Sequence, residues 1–336
     1  MCATCGCSDT DGVTITDLAT GEKRVVSQAE HDHAHADGMA HEHNHVSGEA
    51  GGDHPLVYRP VHEHGNQGPR EHDHTHPHAH DHEHDQEHSH DHQQQSTGVV
   101  ALHARLHRTT IALEQEILAK NQRLAERNRG WFAGRGILAL NLVSSPGSGK
   151  TTLLERTIRD LQGELAIQVI EGDQATVNDA ERIRATGCRV IQINTGTGCH
   201  LEADMLARGL AQLDPPRDSV VMIENVGNLV CPALFDLGER AKVVILSVTE
   251  GEDKPIKYPH MFKASAVMLL NKIDLLPYLK FDVEKCIAYA RQVNPAIQVF
   301  RVSAETGEGM PAWYDWLRDQ SAGREDSSSD DKGRAA

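Results

Sequence analysis

The chain has 336 residues, a formal net charge of −16, and 23 histidines against five phenylalanines and three tryptophans. Its length admits one large or two ordinary domains, provided most of it folds. An acidic balance with no basic block excludes nucleic-acid binding as the main role. No apolar run has signal-peptide or membrane length, so neither a membrane nor secretion is expected. The chain is expected to be cytoplasmic, where thiols stay reduced and a tight cysteine cluster serves a metal rather than a disulfide.

The first element is a thiol-rich head, residues 1–7, reading MCATCGC. Cys2, Cys5 and Cys7, with the terminal amine as a fourth donor, suit Ni2+ in square-planar or Zn2+ in tetrahedral geometry, and the residues do not choose between them. Residues 8–98 read as a disordered, metal-binding region. Nineteen of the 23 histidines lie between His31 and His92, among thirteen Asp/Glu and two Arg, with almost no aliphatic side chains. Such a composition has no core to bury. Its imidazoles, mostly neutral at pH 7, offer many interchangeable sites of modest affinity that acid would empty.

The pattern changes at Val99. Leu102, Leu106, Leu113, Ile117 and Leu124 recur at helical spacing, which predicts one or two amphipathic helices as far as Asn128. A folded domain is expected over residues 99–320, with a frayed tail over 321–336. Between Gly136 and Gln320, seven strand-length runs alternate with helical segments: ILALNLV, AIQVIEGD, RVIQIN, SVVMIENVG, KVVILSVTEG, AVMLLNKID and IQVFRVSA. Nearly uninterrupted apolar strands are buried on both faces, so the fold class is α/β, a doubly wound, mostly parallel sheet of about seven strands flanked by helices. Ligands of such sheets bind at the carboxyl edge.

The first run is followed by SSPGSGKTT, with the spacing of a P-loop opening a helix. Backbone N–H groups around Gly147, Ser148 and Gly149 can converge on phosphate oxygens at a helix N-terminus. Lys150 would reach the β/γ-phosphates, and the Thr151 hydroxyl, followed by Thr152, would bind Mg2+. Ser144 stands where the usual pattern has a leading glycine. NKID, ending the sixth run, supplies Asn271, Lys272 and Asp274. The Asp274 carboxylate can accept from guanine N1–H and N2–H, a pair adenine lacks, which favours GTP. SAET adds Ser303 and Ala304 to the loop closing over the base. Asp173 in EGDQAT, with Glu224 and Gly227 in ENVGN, would hold Mg2+ and sense the γ-phosphate. No water-positioning glutamine or arginine finger stands out, so slow hydrolysis is expected.

Cys199 and His200 are vicinal, and Cys231 lies four residues beyond Gly227. Two thiolates and an imidazole can form a soft N/S site, although small buried cysteines are an equal reading of the spacing. Cys188 and Cys286 sit among apolar neighbours and read as core.

Together, MCATCGC, NLVSSPGSGKTT, EGDQAT, TGTGCHL, ENVGNLVCP and NKIDLLP resemble the hydrogenase nickel-insertion GTPases (the HypB family). The resemblance covers about Ala101 to Leu317, with the head and the histidine tract. It implies a GTP-driven homodimer that delivers nickel to the large-subunit precursor of a [NiFe] hydrogenase, with partner maturation proteins including a second nickel/zinc-binding accessory protein. It also implies a tight nickel site at Cys2, Cys5 and Cys7 and a weaker nickel or zinc site at Cys199, His200 and Cys231. A urease-maturation GTPase and a nickel buffer are the alternative readings.

Overall fold

Seven of the strands form where the apolar runs lie: β3 (Leu138–Ser144), β4 (Ile167–Asp173), β5 (Val190–Asn194), β6 (Val220–Glu224), β7 (Ala241–Ser247), β8 (Ser265–Asn271) and β9 (Gln298–Arg301). The structure, a computed structural model, describes residues 13–25, 115–173 and 178–322. The head cysteines Cys2, Cys5 and Cys7, the histidine tract, Leu102, Leu106, Leu113 and the tail from residue 323 lie outside the described residues. The described residues belong to a single compact unit.

All seven strands pair in parallel, in the order β5-β4-β6-β3-β7-β8-β9. Parallel pairing puts every carboxyl end on one edge. Alternate residues of β3 serve opposite faces. Leu138, Leu140 and Leu142 pack with Leu153 and Ile158 of α2 (Lys150–Asp160) and Trp313 and Leu317 of α9 (Met310–Ala322). Ala139 faces the other layer with Leu206 and Leu210 of α4 (Ala203–Leu213). Burial of this kind stabilises by about 25 cal/mol per Å² of apolar surface, which is why both faces must be covered.

The helix predicted to stop at Asn128 runs over residues 115–134, as α1. Its inward stripe is Asn121, Ala125, Asn128 and Phe132, a helical spacing in which two of the four positions are amides. They are buried because each finds backbone partners: Asn121 Nδ2 donates to Asp236 O (2.7 Å), and Asn128 Nδ2 donates to Ala203 O (2.8 Å) and Leu237 O (3.1 Å).

The reading of residues 8–98 as wholly disordered needs correction. Residues 14–25 form a hairpin, β1 (Thr14–Asp17) and β2 (Lys23–Val25), and β1 pairs antiparallel with the outer edge of β5, Thr14 opposite Asn194. The sheet therefore has nine strands. Val13 and Ile15 point inward and are buried with Ile191 and Ile193, while Thr14 and Thr16 face outward. Asp17 Oδ1 accepts from Ala19 N at 2.8 Å and starts the turn. A polar composition hid four residues of strict alternation, and the unpaired edge of β5 supplied the partner that makes so short a strand stable. Ile15→Ala is expected to cost about 2 kcal/mol in urea unfolding of the full chain; an unchanged midpoint would show that the hairpin does not dock.

Candidate nucleotide and metal site

At the carboxyl edge, β3 leads into the glycine-rich loop and α2. Gly147 and Gly149 have φ of 76° and 88°, in the left-handed region that glycine enters without cost. At Gly149 a second constraint applies, since a Cβ there would lie 2.7 Å from Asn271 Nδ2. Ser144 closes β3 with its hydroxyl donated to Ser145 O (2.9 Å) and its φ negative, so this position has no need of glycine. Lys150 and Thr151 open α2 and turn toward β6. Glu224 Oε1 accepts from Lys150 Nζ at 2.6 Å and from Thr151 Oγ1 at 2.7 Å. Thr152 Oγ1 accepts from Arg182 of α3 (Asn178–Arg184) at 3.1 Å. Gly227 packs against Pro146 of the loop, where a Cβ would meet the Pro146 backbone at 3.3 Å.

The loops after β8 and β9 knit to this one. Asn271 Nδ2 donates to Ser148 O (3.0 Å), and Lys272 Nζ to Gly147 O (2.7 Å). Asn271 Oδ1 accepts from Ala304 N at 3.1 Å, and Asp274 Oδ1 from Ser303 Oγ at 2.5 Å. A short 3-10 helix over Ile273–Tyr278 carries Asp274. The phosphate-loop residues and the NKID and SAET residues thus form one hydrogen-bonded ring. Asp173 ends β4, and its carbonyl accepts from Thr195 N at 2.9 Å, which ties this acid to the loop that leads to Cys199.

Cys199, His200 and Cys231 also come together: one ligand atom from each lies within 4.8 Å of the others. The loop after β5 and the first turn of α5 (Cys231–Leu234) supply them. Gly172 permits the approach, since a Cβ there would fall 2.6 Å from Leu201 Cγ. Burial pushes the His200 imidazole down to about 4, so it is neutral at pH 7 and a competent metal donor. Its Nε2 is buried without a hydrogen-bond partner, and Glu202 Oε1 at 3.9 Å is too far to provide one. Cys199 Sγ lies 3.6 Å from Nδ1, and the Phe235 ring packs on the imidazole with centroids 3.9 Å apart. A neutral imidazole, an orphaned ring nitrogen and two sulfur donors fit a soft divalent ion better than they fit a packed core. Cys188 and Cys286 stay outside the cluster. Burial holds both thiols up at about 12, as inert core residues.

Glu171, on β4, was not singled out from the sequence. Its partners in register are Glu224 on one side and Gln192 on the other. Burial, with Glu224 and Asp173 nearby, pushes its carboxyl up to about 9, so it is protonated at neutral pH. A glutamate directly after the apolar pair Val169–Ile170 in a strand-length run was the available signal. Because the folded state holds a proton that the unfolded state releases above about pH 4.5, this group's contribution is fully present below that pH and is lost as pH rises toward 9. Glu171→Gln removes the ionisation, so its Tm is expected to exceed that of the parent chain at pH 8, with the gap closing toward pH 5. A pH-independent gap would contradict the neutral carboxyl.

Residues 138–301 match the CobW/HypB/UreG nucleotide-binding domain family. The hydrogenase maturation factor HypB of Escherichia coli (strain K12) is 62% identical over 213 residues, which are 63% of this chain and 73% of that protein. The hydrogenase/urease maturation factor HypB of Helicobacter hepaticus is 37% identical over 221 residues, 65% of this chain and 90% of that protein. Among solved structures, HypB from Helicobacter pylori in complex with nickel superposes with a TM-score of 0.57 at 35% identity, covering 60% of this chain and 95% of that one. Hydrogenase maturation factor HypB from Archaeoglobus fulgidus gives 0.57 at 41% identity, covering 60% and 99%. The chain belongs to the HypB family of hydrogenase maturation factors, within the P-loop GTPases of the CobW/HypB/UreG class.

Proposed function

We propose that the chain is a GTP-hydrolysing nickel metallochaperone, which stores nickel and delivers it to the large-subunit precursor of a [NiFe] hydrogenase. One observation carries this reading. Two cysteines and a neutral histidine converge, and one of them, Cys231, lies seven residues beyond Glu224, whose carboxylate engages Lys150 and Thr151. The nickel-bound relative from Helicobacter pylori supports nickel as the cargo.

In the proposed cycle, backbone N–H groups of Gly147 to Thr151 receive the phosphates of GTP. Lys150 leaves Glu224 for the β/γ-phosphate oxygens, where its charge offsets what develops in the transition state. Asn271, Lys272, Ser303 and Ala304 frame the base, and Asp274 exchanges the Ser303 hydroxyl for the guanine N–H pair. The Thr151 hydroxyl and the Glu224 carboxylate meet at the start of α2 at 2.7 Å, and with the Asp173 carboxylate they would supply hard oxygen donors of the kind Mg2+ takes. When bound, that ion neutralises charge across the β- and γ-phosphates. Gly227 senses the γ-phosphate, and the segment from Gly227 to Cys231 links that event to the thiolate. Cys199, His200 and Cys231 hold nickel, or zinc in its place, with a coordination position open for transfer. Homodimerisation depends on nucleotide or metal. Cys2, Cys5 and Cys7 form a second, tighter nickel site, and the tract over His31–His92 acts as the reservoir. Partner maturation proteins, among them a second nickel/zinc-binding accessory protein, complete delivery.

The hydrogenase/urease designation of the Helicobacter hepaticus relative favours a second reading, a urease-type client served by the same machinery. Which apo-enzyme precursor accepts nickel from the loaded chain decides between the two. Lys150→Ala is expected to lower kcat/KM for GTP by about a hundredfold or more. Asp274→Ala is expected to weaken GTP binding by about tenfold or more, with no such loss for ATP. In nickel-replete cells, hydrogenase maturation is expected to survive deletion of residues 31–92 and to fail with Lys150→Ala; the opposite pattern would make the chain a nickel buffer.

A further inference from the structure

A row of buried polar side chains runs from the end of β6 across β3 to the start of β7. Asn225 directly follows Glu224. Its Oδ1 accepts from Leu201 N (3.1 Å) and Val226 N (2.9 Å), and its Nδ2 donates to Asn141 Oδ1 (3.2 Å). Asn141 Nδ2 donates to Glu239 Oε1 at 3.1 Å. Lys242 Nζ donates to the same oxygen at 2.6 Å and to Phe235 O at 3.0 Å, while Glu239 Oε2 accepts from Leu237 N at 2.7 Å. Exposure along the row is 1% at Asn225, 0% at Asn141, 5% at Glu239 and 7% at Lys242.

Both ends of the row arrive at His200. One end fixes Leu201 N–H, the peptide directly after it. The other fixes the Phe235 carbonyl, whose ring lies against the imidazole. A buried ion pair such as Glu239–Lys242 gives little net stability over an apolar pair of the same volume, so stability does not account for four polar residues here. Breaking any one link would leave a buried group without its partner, so the row shifts as a unit more readily than it breaks. A cause for a shift is present beside it. Glu224 Oε1 is held by Lys150 and Thr151, the two donors that nucleotide and Mg2+ would claim.

We propose that Asn225 is a positioning residue that passes the placement of Glu224 to His200 and so makes nickel affinity at the Cys199–His200–Cys231 cluster depend on the bound nucleotide. This rests on the nucleotide and metal reading proposed above. Through Asn225, release of Glu224 from Lys150 and Thr151 alters both the peptide after His200 and the ring stacked on it.

The test uses the full chain and Ni2+ as the only probe. Alkylation of Cys199, the partly exposed thiol of the cluster, followed on its own peptide by mass spectrometry, gives the nickel concentration that half-protects it, with GDP and with a non-hydrolysable GTP analogue. The ratio of the two concentrations measures coupling, and the histidine tract buffers both arms equally. The parent chain is expected to show a ratio of about fivefold or more. Asn225→Ala and Glu239→Gln are expected to bring it to about one while both proteins still bind GTP. Thr157→Ala is the structural control. Thr157 is also a buried polar residue, its hydroxyl accepting from Trp313 Nε1 at 3.1 Å and donating to Leu153 O at 2.8 Å, and neither partner belongs to the row. That variant should lose thermal stability and keep the parent ratio. Parent-like ratios in Asn225→Ala and Glu239→Gln, or an equal collapse in Thr157→Ala, overturn the assignment of Asn225. Either of the first two variants suffices if the other fails to fold. A ratio of one in the parent chain would instead remove the nucleotide–metal coupling of the proposed function, and this inference with it.

Discussion

Glu224 Oε1 takes two hydrogen bonds, from Lys150 and from Thr151, and the proposed nucleotide cycle cannot keep either. The ammonium is the one the phosphates require, and the hydroxyl is the one Mg2+ requires. A carboxylate at 1% exposure cannot turn to water instead, and leaving a buried charge without partners is costly. Its second oxygen already lacks a hydrogen-bond partner, and its neighbour Glu171 is kept protonated by burial and by Glu224 itself. This arrangement is therefore satisfied only while Lys150 and Thr151 stay home. In the proposed cycle this is what makes β6 and the segment after it respond to the site.

The parallel sheet makes such a response reach far. Seven strands end on one edge, so segments distant in sequence become neighbours there. Asp173, Glu224 and Asn271 close β4, β6 and β8. Cys199 and His200 leave β5 through a loop tied to Asp173, and Cys231 opens the helix after β6. α1 closes the arrangement from outside, with Asn121 and Asn128 bonded to segments on both sides of the cluster, at Ala203 and at Asp236 and Leu237. Buried amides in these places specify a geometry more than they add stability, because each is worth having only when every partner is in position.

Much of this was legible in the residues. Parallel strands buried on both faces announce themselves as apolar runs, and all seven lie where ILALNLV through IQVFRVSA place them. The phosphate loop and NKID were readable because glycine, lysine and aspartate at those spacings follow backbone geometry. The Cys199, His200 and Cys231 side chains were harder to place, since a cysteine in a loop is as often packing as ligand; only their convergence to within 4.8 Å separates the two. The hairpin at Thr14–Val25 was missed because four alternating residues carry little signal inside a polar tract, and its stability comes from an edge encoded far away. Glu171, Asn225 and Phe235 were missed for a related reason. Their meaning lies in which residue stands opposite across the sheet, and a linear sequence does not display it.

In the proposed cycle, nucleotide binding is coupled to the nickel ligands through one rearrangement at Glu224. This coupling is tested most directly by a crystal structure of the full chain with Mg2+ and a non-hydrolysable GTP analogue. The account predicts that the Lys150 Nζ to Glu224 Oε1 contact, 2.6 Å here, is broken, with Lys150 on phosphate oxygens and the Cys199, His200 and Cys231 donors re-spaced. A nucleotide-bound structure that keeps this ion pair and leaves the three donors where they are would contradict it.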